Sequence, residues 1–348
     1  MNPTTIQREE LIRDLDQVKP GLSPREFIEQ SSCFCFQDGV VMTFNDEIAC
    51  RKQTVLPLNG AIQAQVLRDI LDKLPDAELT VEEGENGEVV FKGKRRAFGM
   101  VKDAEIHLPI NQVESPAEDQ WKPLPKTFLE ALKLVRHCVS TDESKFLLTC
   151  IHLTPKGMES CDNLQMIRYR FPTGLAEKVL VRGSSLSQIL DLGMESVCLT
   201  PSWIHFRNES GLVLSCRRFA DEYPNLSALT QFEGYPIRIP QGLKDASERA
   251  AVFARDKAGD PLIEVTLKED RIRLEGRGLS GWYREVKRVQ YQGPELRFFI
   301  SPDLLAHLSE HYSDAQISDE RLKVVGENWV YVTVLGKPGA EEQEKKAE

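Results

Sequence analysis

The chain lacks the marks of several large function classes. It has no run of about 18 apolar residues, the length that a membrane-spanning helix needs. Its start, Met1-Asn-Pro-Thr-Thr-Ile, carries no apolar signal core. The cytoplasm is therefore the expected location. Its eight cysteines (33, 35, 50, 138, 150, 161, 198 and 216) form no Cys-x-x-Cys pair. In Cys33-Phe-Cys35-Phe the thiols alternate with rings, as on a strand. Free cysteine behaves as a small buried hydrophobe and stays reduced in the cytosol, so structural thiols are expected. Excess positive charge is also missing. The net charge of −10 argues against a protein that grips nucleic acid over its whole surface. It leaves room for a local basic lining within an acidic body. Gly-x-Ser-x-Gly, a phosphate-binding loop and a convincing Asp/Glu constellation are all missing. Neither an enzyme nor a cofactor is expected.

What the chain has is a long repeat. Leu67-Arg-Asp-Ile-Leu71 recurs as Leu186-Ser-Gln-Ile-Leu190 and more loosely as Leu304-Leu-Ala-His-Leu308, offsets of 119 and 118 residues. Solenoid units run to only about 20–50 residues, so this period implies copies of a whole domain. Each segment follows a β-like run: Thr54–Gly60, Glu177–Gly183 and Leu296–Pro302. A second amphipathic helix pattern opens each copy, at Ile6–Val18, Thr127–Val139 and Gly242–Ala254. After each comes a hairpin pattern, around Asp38-Gly39, Lys156-Gly157 and Glu269-Asp270. One unit thus reads as two short helices and about eight strands. This is an α+β domain with helices covering one face of antiparallel sheet. Pro and polar residues gather at Asn111–Pro125 and Pro224–Gly234. The expected division is 1–122, 123–228 and 229–336, followed by an apolar-poor tail, 337–348, expected to be disordered.

The order of several short segments over the three units resembles the bacterial DNA polymerase III β subunit, the sliding-clamp family. These are Leu15-Asp-Gln-Val18, Asp46-Glu47-Ile48, Leu74-Pro-Asp-Ala-Glu78, Ser144-Lys-Phe-Leu-Leu148, Cys161-Asp162, Glu222-Tyr-Pro-Asn-Leu226 and Tyr331-Val-Thr-Val-Leu335. The resemblance covers residues 1–335 approximately. It implies three tandem clamp domains, and two chains closed head to tail around non-specifically held double-stranded DNA. The implied role is to tether the replicative polymerase for processive synthesis. In the family the helices line the hole and the sheets form the outer wall.

The resemblance also implies site residues. Arg25, Lys145 and Phe146 match loops where the family touches DNA, and Lys73 lies beside the second helix. The helices at 126–139 and 242–257 add Lys133, Arg136 and Arg249 as hole-facing cations. A groove for short peptide motifs of polymerase, clamp loader and repair proteins matches Leu148, Cys161, Asn163, Leu164, Met166, Pro224, Ala228, Leu229, Val332, Val334 and Leu335. Most of these are apolar, and Met suits several partners. The chain departs from the family where Asn163-Leu-Gln-Met166 replaces Gly-His-Arg-Leu, and where Val334-Leu-Gly336 and a further tail replace a terminal Met, Pro and Arg. These changes put the peptide preference in question.

Two motifs point elsewhere. Gly276-Arg-Gly-Leu-Ser-Gly281 fits the dinucleotide fingerprint, which needs a helix to start there. The β-forming, charge-alternating Trp282–Tyr291 follows instead, so a strand connection is expected. His307-Leu-Ser-Glu-His311 fits an inverted zinc-protease signature, which also needs a third ligand and a water-activating carboxylate. The copies of this helix at 67 and 186 carry no His, and no metal is expected. The competing readings are a clamp-fold interaction scaffold that does not encircle DNA and, more remotely, a metallopeptidase using His307 and His311.

Overall fold

The computed structural model describes residues 3–84, 87–256 and 261–337. Lys257 and residues 338–348, for which a helix-borne cation and a disordered tail are expected, lie outside the described residues.

The order of elements repeats three times. The first round is β1 (Thr4–Gln7), α1 (Arg8–Val18), β2 (Cys33–Gln37), β3 (Val40–Phe44), β4 (Ile48–Gln53), β5 (Gly60–Gln63), α2 (Ala64–Lys73), β6 (Glu78–Glu83), β7 (Glu88–Lys92) and β8 (Ala97–Val101). The second is β9 (Lys122–Pro123), α3 (Lys126–Val135), β10 (Cys150–Thr154), β11 (Gly157–Cys161), β12 (Gln165–Arg170), β13 (Val179–Arg182), α4 (Gly183–Ser187), β14 (Met194–Leu199), β15 (Trp203–Asn208) and β16 (Val213–Arg217). The third is β17 (Tyr235–Arg238), α5 (Leu243–Ala254), β18 (Ile263–Lys268), β19 (Arg271–Arg277), β20 (Trp282–Arg288), β21 (Gln290–Tyr291), β22 (Leu296–Ile300), α6 (Pro302–His311), β23 (Asp314–Ile317), β24 (Arg321–Val325) and β25 (Trp329–Val334). Each round is strand, helix, three strands, strand, helix, three strands, with β21 an extra short strand in the third. The strand pairings whose register is described are antiparallel, as the α+β expectation requires.

The chain divides into two compact units. Residues 1–158 with 171–223 form one, and residues 159–170 with 224–348 form the other. Within the first, a sheet of order β5-β2-β3-β4-β16-β15-β14-β9 joins the first round to the second. Its central seam pairs Val213 with Arg51 and Cys216 with Ile48. A second sheet, β1-β6-β7-β8, ends on β8. Within the second unit β12 pairs with β25, from Gln165↔Thr333 to Tyr169↔Trp329. A separate sheet, β20-β19-β18-β22, ends on β20.

Helix faces follow their spacing. α1 buries Leu11, Leu15 and Val18, and α3 buries Phe128, Ala131, Leu132 and Val135. α1 and α2 pack together, as do α5 and α6. The Asp38-Gly39 turn has both residues at positive φ (53° and 76°), the conformation that suits a two-residue hairpin loop. All eight cysteines are buried. Burial pushes the Cys35 and Cys50 thiols up to about 12.

Four sequence expectations need correction. Ile6 is not helical; it pairs with Leu79 in β1, so α1 begins at Arg8. The helix expected over Thr127–Val139 ends at Val135 and continues as a 3-10 turn, Arg136–Cys138. Leu147 belongs to the 3-10 segment Glu143–Thr149 rather than to β10. Most of Thr54–Gly60 is unpaired loop. Leu56 and Leu58 alternate because both plug the core, not because a strand runs there.

Candidate DNA interface and peptide groove

The helix pairs carry the candidate cations. On α3 the buried Phe128–Val135 stripe turns Lys133 outward, and Arg136 is exposed on the following turn. Arg25 sits at the tip of an exposed loop whose base is fastened. Gln30 there binds Asp103 at 2.7 Å, the Glu105 carbonyl at 2.7 Å and the His107 amide at 2.8 Å. Lys73 closes α2 and is exposed. Arg25, Lys73, Lys133 and Arg136 make no ion pair among the described residues. Lys145 lies 3.7 Å from Asp142, at a residue whose φ/ψ of −112°/61° breaks the 3-10 segment. Hydrogen bonds from the Ser144 hydroxyl and amide, with Lys145 nearby, hold the Asp142 carboxyl below its ordinary range.

Two candidates are more engaged than their sequence suggests. Phe146 is half-buried, edge-on to Phe219 at 4.7 Å, with the Arg182 guanidinium 4.9 Å from its ring centre. Arg249 grips Glu285 at 2.7 and 3.1 Å and the Tyr283 hydroxyl at 2.9 Å. Two nearby cations behave alike: Lys244 of α5 pairs with Glu310, and Arg255, just after α5, with Asp303, both partners on α6. The basic count of α5 is therefore largely offset by neighbouring carboxylates. Lys133 on α3 and Lys73 on α2 stay unopposed among the described residues. Other cations of the first pair are tied up. Arg8 caps α2 through the Leu71 and Leu74 carbonyls, and Arg68 holds Asp16 at 2.7 and 2.8 Å.

The expected groove residues fall into two sets. Leu148 is half-buried in the first unit, at the end of the 3-10 segment. The others lie in the second. Asp162 there accepts the Leu164 and Gln165 amides at 2.7 Å each and so builds a tight turn. That turn presents Asn163 and Leu164 outward. Leu164 is 59% exposed beside Val334, at 41%, whose amide binds the Leu164 carbonyl at 2.8 Å. Pro224 and Ala228 are exposed and Leu229 half-buried; the latter two lie on a 3-10 turn packed on β25. Cys161, Met166, Val332 and Leu335 are buried. Met166 and Val332 face each other across β12 and β25 on the core side. Being buried, these four support the surface rather than line it.

The two alternative motifs have structural explanations. Gly276 lies in β19 and Gly281 just before β20, a hairpin rather than the start of a helix. A Cβ at Gly276 would meet the Ala250 carbonyl, and one at Gly278 the Phe253 carbonyl. The glycines let α5 lie close on β19. His307 and His311 share one face of α6 with ring centres 4.3 Å apart. No cluster of three or more potential metal ligands occurs among the described residues.

Sequence reasoning missed one buried polar chain in the first unit. His205 places Nδ1 2.7 Å from the Ser215 hydroxyl and Nε2 2.9 Å from that of Thr200, which donates to Glu114 at 3.0 Å. Burial lowers the pKa of His205 to about 4, against the opposing pull of Glu114. The chain fastens the 111–125 linker to β15 and β16, beside a cavity of about 140 Å³. No spacing rule links residues so far apart in sequence.

No family model and no curated protein sequence matches the chain. Solved structures do match. The DNA polymerase III β chain of Streptococcus pneumoniae superposes with a TM-score of 0.83 at 16% identity, covering 96% of this chain and 99% of that one. The sliding clamp of Bacillus subtilis gives 0.80 at 17%, covering 96% and 98%. The DNA polymerase III β subunit of Pseudomonas aeruginosa gives 0.79 at 15%, covering 97% and 100%. Among the described residues no helix is long and apolar enough to cross a membrane. At these identities the likeness establishes the architecture: this chain has the fold of DNA polymerase III β subunits, the sliding clamps, over nearly its full length.

Proposed function

We propose that the chain is a sliding clamp. Two copies close head to tail into a ring around duplex DNA and tether a polymerase, acting by raised local concentration rather than by chemistry. Its place of action is the cytoplasm. The observation that carries this reading is a pair of unmatched sheet edges. β4 joins β16 and β12 joins β25; each seam sets the last strand of a round's first trio beside the last strand of the next round's second trio. The same rule pairs β20 with β8, and these two strands end their sheets. A second copy offers both edges, and two such seams pair every β8 with a β20. Exposed Val101 on β8 and Val286 on β20 give these edges apolar surface for a partner strand to cover.

On this reading the three domains are residues 1–122, 123–228 and 229–336. Arg25, Lys73, Lys133, Arg136 and Lys145, with Phe146 as a supporting ring, contact the DNA backbone, and Arg249 contributes less. A sparse lining suits sliding, because each phosphate contact steepens salt dependence. Leu164, Val334, Asn163, Pro224, Ala228, Leu148 and Leu229 receive partner peptides above the buried Cys161, Met166, Val332 and Leu335. The deciding experiment loads the protein on nicked circular DNA with a clamp loader. Retention that is lost when the circle is cut supports encirclement. Peptide binding without such retention would favour a scaffold that does not encircle DNA.

A further inference from the structure

The sheet β20-β19-β18-β22 has two unlike faces. Its inner face, with Val265, Leu274 and Phe298 in register, is apolar and lies under α5. The opposite face is basic. Register places Arg271, Arg273 and Arg277 of β19 on it beside Arg284 and Arg288 of β20, with Lys268 and Arg297 from the neighbouring strands. Two carboxylates of the paired strands, Glu264 and Glu275, share that face, and Glu295, just before β22, pairs with Lys268 at 2.9 Å, in a chain of net charge −10.

Those two strand carboxylates orient arginines and offset part of the positive charge. Glu264 holds Arg297 at 2.7 and 2.8 Å and lies 3.5 Å from Arg273. Glu275 holds Arg277 at 2.7 Å and Arg284 at 2.7 Å. Arg271 and Arg288 stand directly opposite each other, a like-charge pair that destabilises a sheet. Arg271 has only a 3.9 Å approach to Asp270, and Arg288 has no ion pair among the described residues. The Nε of Arg273 is buried with no hydrogen-bond partner. Trp282 is 54% exposed with the Arg284 guanidinium 5.0 Å from its ring centre.

The fold does not require this face. On the counterpart sheet of the first round the same face is apolar: Cys35, Met42, Phe44 and Ala61 lie there under Leu108, Ile110 and Val113.

We propose that the β18–β20–β22 face binds single-stranded nucleic acid. Arg271 and Arg273 stand about 6.8 Å apart along β19, and Arg277 follows two such steps further on, past Glu275, a spacing suited to phosphates of an extended strand. Trp282 supplies a stacking platform, and a positive track with an aromatic is how single strands are held without sequence readout. An acidic peptide would use the charge but not the ring. The proposal does not rest on ring closure, since a short linear strand would slip free of a ring.

The test is fluorescence anisotropy of the full chain with an oligo(dT) of about 12 nucleotides at low salt, with tryptophan quenching as second readout. Wild type should bind, with quenching. Arg271→Glu/Arg288→Glu should weaken binding at least about tenfold and lower the salt slope by about 1.4, roughly 0.7 per lost contact. Trp282→Ala should weaken binding about tenfold and abolish the quenching. Unchanged thermal melting would show that the variants remain folded. Three results would overturn the proposal: no binding by wild type, equal affinity for a poly-glutamate peptide, or binding that Trp282→Ala leaves intact. Binding seen only after removal of residues 338–348 would also overturn it, by assigning the face to the chain's own end.

Discussion

Asp14 and Lys52 form a buried ion pair at 3.4 Å, with side chains 9% and 8% exposed. Asp14 of α1 also accepts the Val55 amide at 3.4 Å, and Lys52 of β4 reaches the Ser210 carbonyl at 3.2 Å. The pair therefore ties a helix of the first round to the seam between β4 and β16. Removing one partner leaves an uncompensated buried charge, which costs about 3–5 kcal/mol. At about 2–4 °C per kcal/mol for a body of this size, Lys52→Ala should lower the melting temperature of the first unit by roughly 6–20 °C. Asp14→Leu/Lys52→Met, which removes both charges, should recover most of the loss. The double-mutant cycle is measured by urea unfolding at pH 7. A loss below about 1 kcal/mol in Lys52→Ala, or strict additivity in the cycle, would refute the reasoning.

Three further outcomes are expected. His205, lowered to about 4 by burial, stays neutral in the fold while the unfolded chain takes up a proton below about 6.5; stability should fall as pH drops through that window, by on the order of 3 kcal/mol, and His205→Gln should flatten the slope in urea titrations at each pH. Gly276→Ala should displace α5 from β19 and lower the midpoint of the second unit by several degrees in calorimetry, whereas Gly87→Ala, with nothing near its added carbon, should cost little beyond its positive φ. Leu164→Asp and Val334→Asp should leave the melting temperature within about 2 °C of wild type, because both side chains are exposed, yet weaken capture of polymerase-derived peptides at least about tenfold in a binding assay.

The threefold layout was legible because local patterns carry it: helix faces at Leu11, Leu15 and Val18, and a turn dipeptide such as Asp38-Gly39, need only near neighbours. The errors arose where an apolar side chain has a tertiary reason. Ile6 continues the helical stripe yet pairs with Leu79, and Leu56 and Leu58 alternate without a strand. Exposure along β12 and β25 depends on a pairing between residues about 165 positions apart, so nothing local separated Leu164 from Met166. The worth of a cation was equally hidden. Arg249 and Lys133 both read as helix charges, but only the fold brings Glu285 against Arg249.

The central claim is that β8 and β20 are edges meant for each other in a second copy. Light scattering of the full chain at micromolar concentration tests this most directly. A closed ring predicts a single species of twice the chain mass of 39.5 kDa, unchanged on dilution to about 1 µM. A species of one chain mass at that concentration would contradict it.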